Sequence, residues 1–262
     1  YQFDGSDQNP VLLILNGIMM STKSWETFVP ALSEHFYLLR VDMLDQGQSD
    51  KMNEDYTQAI QVEMIEALRQ HLAIDTWHLA GISYGGSVAL QYVSKYQQYV
   101  SKLVLLNAVS YTSPWLKAIG DGWNEVAAHR DGLAYYHVAI PFIYSPSFYT
   151  KNNDWMEARK EILVPLFSQP DFLDAMVRLT KSAETHDVRE TLPSVQTKTL
   201  IVASEHDYLT PVFEQVAIQK AMPNASIIEF KETGHASMYE QPDLFVSTLL
   251  GFFLDPTKDY KI

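Results

Sequence analysis

The feature that most constrains this chain is a rhythm of short, uninterrupted apolar runs, each stopping at Gly, Asn or Asp, with helical stretches between them. Val11 to Leu15 ends at Asn16-Gly17, Tyr37 to Val41 at Asp42, Trp77 to Ala80 at Gly81, and Leu103 to Leu106 at Asn107. Thr199 to Ala203 and Ile227 to Phe230 follow much later. Runs this short, with no polar alternation, read as strands buried on both faces, the condition of a parallel sheet in an α/β protein. Between them, Ile60, Met64, Ile65, Leu68 and Leu72 fall at spacings of three and four and predict a single apolar helical stripe. Ser87 to Tyr96, Val212 to Met222 and Leu244 to Phe253 read similarly, with Pro211 and Pro242 where the last two begin. Strands alternating with helices imply right-handed crossovers and an open, mostly parallel sheet flanked by helices.

One stretch breaks the rhythm. From about Thr112 to Val188 no strand-like run stands out, aromatics such as Trp115, Trp123, Tyr144 and Trp155 are frequent, and Trp155 to Phe167 and Phe172 to Ala183 look helical. The reading is a core of residues 1–111 and 189–262, with residues 112–188 inserted between two strands as a helical cap. The plainer alternative is a set of peripheral helices whose aromatics serve a small core of their own. At 262 residues, 47% hydrophobic and 19% charged, the chain is long enough to bury a large core without disulfides or structural metal.

Composition also removes several functions. There is no cysteine, which excludes disulfides, thiolate zinc sites and cysteine nucleophiles. A formal charge of −13 repels phosphate backbones and anionic headgroups, so neither nucleic acid nor membrane is expected as a partner. No apolar run approaches a bilayer span, and Tyr1 to Gly5 lacks the basic and apolar regions of a secretion signal, so a cytoplasmic location is the expectation. No H-E-x-x-H or glycine-rich phosphate loop is present, and neither metal nor cofactor is expected. The expected partner is a small-molecule substrate; oligomeric state is open.

The chemistry concentrates in Gly81-Ile82-Ser83-Tyr84-Gly85-Gly86. This G-x-S-x-G follows an apolar run and precedes a helix, so Ser83 would sit on a sharp strand-to-helix turn with its hydroxyl lifted clear of the sheet. Side chains at Gly81 or Gly85 would collide across such a turn. A serine hydroxyl needs a base. Of the eight histidines, His235 is best placed: it follows the run ending at Phe230, has Gly234 beside it, and precedes the final helix. The base needs a carboxylate to fix its tautomer. Asp207, just beyond Thr199 to Ala203, fills that role, with Glu205 as its competitor. The order Ser, Asp, His, each just after a strand, is what a nucleophile-elbow fold requires. Oxyanion donors would be the backbone N–H of Tyr84 and of Ile18, in the loop after the first strong strand. Met19, Trp115, His137, Tyr144 and Met238 are candidates for contact with substrate.

Together these residues resemble the α/β-hydrolase superfamily, in the capped branch of esterases, enol-lactonases, carbon–carbon bond hydrolases and cofactor-free perhydrolases. The resemblance spans nearly the whole chain, through Asn16-Gly17, the Asp42 to Ser49 segment, the serine elbow, Asp207 and His235. The family usually has His-Gly at Asn16-Gly17 and a glycine at Asp45. It also opens with a hairpin, whose second strand would be Tyr1 to Phe3. The resemblance implies cleavage of an ester, thioester or lactone through an acyl-serine. The same triad can serve a carbon–carbon hydrolase or an acyltransferase, and the same fold a non-catalytic small-molecule receptor.

Overall fold

The computed structural model describes residues 1–255. Seven strands, Gln2–Asp4 (β1), Val11–Leu15 (β2), Tyr37–Arg40 (β3), Trp77–Ile82 (β4), Val100–Leu106 (β5), Lys198–Ser204 (β6) and Ala225–Phe230 (β7), form one sheet in the order β1-β3-β2-β4-β5-β6-β7. Only β1 runs antiparallel to its neighbour. The apolar runs are continuous because both faces are covered. Leu13, Leu15, Leu103, Leu105 and Ile201 join one buried cluster, whereas Leu12, Ile14, Val104, Leu106, Leu200 and Val202 join another, dividing the strands at a strict period of two.

The helices are Val29–Ser33 (α1), Ala59–His71 (α2), Tyr84–Tyr96 (α3), Pro114–Ala128 (α4), Gly132–Ile143 (α5), Pro146–Lys151 (α6), Asn153–Phe167 (α7), Pro170–Ser182 (α8), Val212–Ala221 (α9), Ser237–Glu240 (α10) and Pro242–Leu254 (α11). Helices α2, α3 and α9 contribute Val62, Ile65, Val88 and Ile218 to the first cluster; α1 and α11 contribute Leu32, Phe245, Leu249 and Phe252 to the second. From β2 the chain moves to β3 on one side and then crosses to β4 on the other. That reversal opens a crevice beyond the C-terminal ends of β2 and β4, where open α/β sheets bind ligands.

Five helices, α4 to α8, lie between β5 and β6. Their starts are local: Ser113 and Ser145 each precede a first-position proline and accept a hydrogen bond from the new helix, and Asp131 caps α5 likewise.

Of the predicted stripe on α2, Met64, Ile65, Leu68 and Leu72 pack on the first cluster, and only Ile60 departs from it. Ile65 is buried, but Ile60 is exposed, and the buried face is Gln61, Val62, Ile65, Glu66 and Arg69. The face is held by polar anchors. Gln61 bonds the Leu44 N–H (3.0 Å) and its carbonyl (3.1 Å), while Glu66 pairs with Arg69 at 2.8 Å and accepts from the Tyr92 hydroxyl at 2.8 Å.

Candidate active site

Strand β4 passes into α3 through Ser83, whose backbone is held at φ 53°, ψ −118°, a region that costs a side-chain-bearing residue strain. The surroundings over-determine it. A Cβ on Gly81 would lie 2.5 Å from the Gly85 carbonyl oxygen, and one on Gly85 would lie 2.5 Å from the Leu15 carbonyl oxygen. The Ser83 N–H is tied to the Leu106 carbonyl at 2.9 Å. Helix α3 begins at Tyr84, and its first turn-closing bond is Ser87 N–H to the Ser83 carbonyl at 3.0 Å. The N–H groups of Tyr84, Gly85 and Gly86 therefore have no partner within the helix.

The loop after β2 lies beside the elbow: Leu15 pairs with Gly81, and a Cβ on Gly17 would stand 3.6 Å from Ser83 Cβ. Asn16 pins this loop from below. Its Nδ2 donates to the Val41 carbonyl (2.8 Å) and to Gln46 Oε1 (3.1 Å), and its Oδ1 accepts from Trp25 Nε1 (2.6 Å). Gln46 in turn donates to the Gly17 carbonyl at 2.9 Å. Asn16 thus does loop-anchoring work with both ends of its amide. Asp45 adopts φ 67° and receives Arg178 of α8 at 2.6 Å.

His235 and Asp207 meet in the loops after β7 and β6. His235 Nδ1 and Asp207 Oδ2 are 2.8 Å apart, with both residues buried. Asp207 also accepts from the Leu209 and Thr210 N–H groups (2.9 Å each), the Thr210 hydroxyl (2.6 Å) and Asn107 Nδ2 (2.8 Å). Burial alone would push this carboxyl's pKa up; the His235 charge and hydrogen bond and the two Thr210 donors outweigh it and hold the pKa below the ordinary range. Donation to Asp207 places the proton of neutral His235 on Nδ1 and leaves Nε2 as its basic nitrogen. Glu205, the competitor, is exposed and accepts from the Glu232 N–H at 2.9 Å. The turn before His235 is made by Glu232 at φ 55°, not by Gly234; glycine is required at 234 because a Cβ there would strike the Ser145 N–H from the inserted helices.

Ser83, Tyr84, Ile18 and His235 all line a cavity of about 180 Å³, walled otherwise mainly by apolar side chains from β4, the β2 loop, α4, α5 and α7. Met19, Tyr144 and Met238 are in that wall. Trp115 and His137 are not among its lining residues. Trp115 is 52% exposed, with its indole N–H given to the Tyr208 carbonyl at 2.6 Å. His137 sits on the exposed side of α5, its ring at the edge of Tyr136.

Sequence reasoning missed Asn107 and Thr210, both held against Asp207. Asn107 stands at φ 49° directly after β5, its Oδ1 accepting from the Ser237 hydroxyl at 3.0 Å. Its only signal was its position at a strand end, which equally marks a plain turn. Among the described residues no cluster of three or more His, Asp or Glu could hold a metal ion, and no helix is long and apolar enough to cross a membrane.

A strand-order reversal, a strained serine at the head of a helix and a carboxylate-bound histidine on one cavity define a class of scaffold, and the comparisons agree with it. The family model described as alpha/beta hydrolase fold matches residues 10–242, and the chain belongs to that family. A solved structure of MGS-M2, an alpha/beta hydrolase enzyme from a Medee basin deep-sea metagenome library, is 57% identical, with a TM-score of 0.97 over 100% of this chain and 96% of that one. The 3-oxoadipate enol-lactonase 1 of Acinetobacter baylyi is 27% identical over 256 residues, 96% of this chain and 91% of its own. A Pseudomonas savastanoi pv. phaseolicola protein, RutD, whose name proposes a carbamate hydrolase, is 26% identical over 244 residues, 93% of each chain. With relatives of this kind along its length, the chain is a hydrolase on this fold.

Proposed function

We propose that the chain is a serine hydrolase that cleaves a carboxylic ester or a related acyl bond, thioester or lactone, of a small, partly apolar molecule. The observation that carries the reading is the placement of Ser83, strained at the head of α3, on the same cavity as His235, whose other face is fixed by Asp207. Ser83 Oγ would bond to the substrate carbonyl carbon as its proton passes to His235 Nε2. The carbon–leaving-group bond then breaks, and the leaving group takes that proton. Water, deprotonated by the same nitrogen, would release the acid and restore Ser83. The Tyr84 and Ile18 N–H groups would hold the oxyanion, with the α3 dipole favouring its charge. Residues 112–188 would act as a cap over the core of 1–111 and 189–262, keeping water out and setting the acyl group accepted. Relatives named for carbamate and enol-lactone hydrolysis also act at a carbonyl carbon, which favours acyl transfer over the other uses of the fold.

The test is hydrolysis of p-nitrophenyl esters of increasing acyl length. Ser83→Ala and His235→Ala are expected to lower kcat by roughly 10³- to 10⁶-fold, and Asp207→Asn by about 10⁴-fold. Near-full activity in Ser83→Ala would sink the assignment.

A further inference from the structure

Arg159, on α7, lines the cavity between mainly apolar walls. Its guanidinium lies over two aromatic rings, 4.5 Å from the Tyr239 centroid and 5.2 Å from that of Trp155. It is hydrogen-bonded to the Tyr144 and Tyr239 side chains, and among the described residues it has no carboxylate within ion-pair distance. Its Nε is buried without a hydrogen-bond partner. The other charged groups of the wall are His235 and the pair Lys117 and Glu184, which lie 3.6 Å apart, Lys117 being held also by Asp121 at 2.7 Å. That pair adds no net attraction, so the uncompensated charge facing the cavity is Arg159.

Ring contacts cover the faces of a guanidinium, whereas its N–H donors point outward in its plane. Tyr144 and Tyr239 take hydrogen bonds from it, which leaves part of its five N–H donors, Nε–H among them, for a planar, two-oxygen acceptor. A single cation balances a single negative charge; a phosphate dianion would leave charge unmatched in an apolar cavity. We infer that Arg159 is a specificity residue that binds a carboxylate on the substrate, so that the preferred substrate is an ester or lactone bearing a free carboxylate away from the scissile bond. The inference rests on the acyl-transfer reading of Ser83 for its chemistry, but not for its binding.

The experiment compares mono-p-nitrophenyl adipate with p-nitrophenyl hexanoate, matched in chain length and differing in charge, on wild type, Arg159→Met and Arg159→Lys. Arg159→Met is expected to lower kcat/KM for the adipate monoester by roughly 10- to 100-fold, the worth of a charge-assisted contact, and to leave the hexanoate ester within about threefold. Arg159→Lys should recover part of the loss. An equal loss on both esters would make Arg159 a clamp joining α7 to Tyr239, and no loss on either would make it idle; both results overturn the inference. If neither ester shows Ser83-dependent turnover, the acyl-transfer reading falls on its own. Binding then decides the matter: adipate should raise the Tm of wild type but not of Arg159→Met, and equal shifts or none would overturn the assignment.

Discussion

Ser83 holds the strain of the site in its own backbone, and this separates its chemical role from its conformational one. Ser83→Ala and Ser83→Gly both remove the hydroxyl, but only glycine accepts φ 53°, ψ −118° without strain. After allowing for the extra freedom of glycine in the unfolded chain, Ser83→Gly is expected to be more stable than Ser83→Ala by about 1 kcal/mol. Comparing the two in chemical denaturation checks this; equal stability would mean the elbow is relaxed. Residues at this scale were legible where backbone and order speak. Ser83, Asp207 and His235 were placed by motif and by position after strands, and the fold gathers them at the ends of β4, β6 and β7. Trp115 and His137 fall outside the cavity wall, which the sequence could not tell, because an aromatic on an inserted helix looks the same whichever way the helix is turned. Arg159 went unremarked for a related reason: nothing in its local sequence says that its cation is left without a carboxylate.

Helix α2 illustrates what periodicity can and cannot fix at the level of an element. Its existence, its bounds within a residue or two and most of its apolar stripe were legible, but the polar part of its buried face, Gln61, Glu66 and Arg69, was not. Glu66 is held by Arg69, an effect opposed by burial and aided by Gln70 and Tyr92, and its pKa falls to about 2 from an ordinary 4.5. Because the folded value is depressed, its contribution is complete above pH 4.5 and is lost as pH falls toward about 2. Glu66→Gln is expected to cost about 2 kcal/mol at neutral pH, with wild type and variant converging in that acid window. Denaturation midpoints across pH test it; a gap constant with pH would show that the carboxylate's charge is irrelevant. The strands were legible for the opposite reason. Two buried faces keep Leu12 to Leu15, Leu103 to Leu106 and Leu200 to Ala203 wholly apolar, with polar anchors such as Lys102 confined to the strand starts, and so nothing competes with the apolar pattern there.

At the scale of the molecule, the inserted helices are fastened to the sheet domain by ion pairs as well as by apolar packing. Arg178 of α8 meets Asp45, whose side chain is wholly buried, and Lys181 meets Asp55 at 2.9 Å nearer the surface. Removing Arg178 leaves a buried carboxylate unpaired. Arg178→Met is expected to destabilise by about 3 kcal/mol, and Arg178→Met with Asp45→Asn by less. Lys181→Met should cost under about 1 kcal/mol. Thermal denaturation of these proteins and of Asp45→Asn distinguishes them, and additive losses in the double variant would refute the pairing. This joint was invisible in the sequence, since Asp45 and Arg178 lie far apart in it and Asp45 stood out only as a departure from a glycine. The sheet face covered by α11 has a further consequence. Phe245, Leu249, Phe252 and Phe253 share one cluster with Leu12, Ile82, Val104 and Val202, and Lys102 of β5 donates to the Phe252 and Phe253 carbonyls at 2.8 and 2.9 Å. A ribosome making this chain exposes that face strand by strand and can offer its cover only after Pro242–Leu254 has emerged. Until then the nascent protein carries a broad apolar surface and depends on chaperones, and a message truncated upstream of Pro242 directs synthesis of a chain that aggregates rather than one that merely lacks a helix.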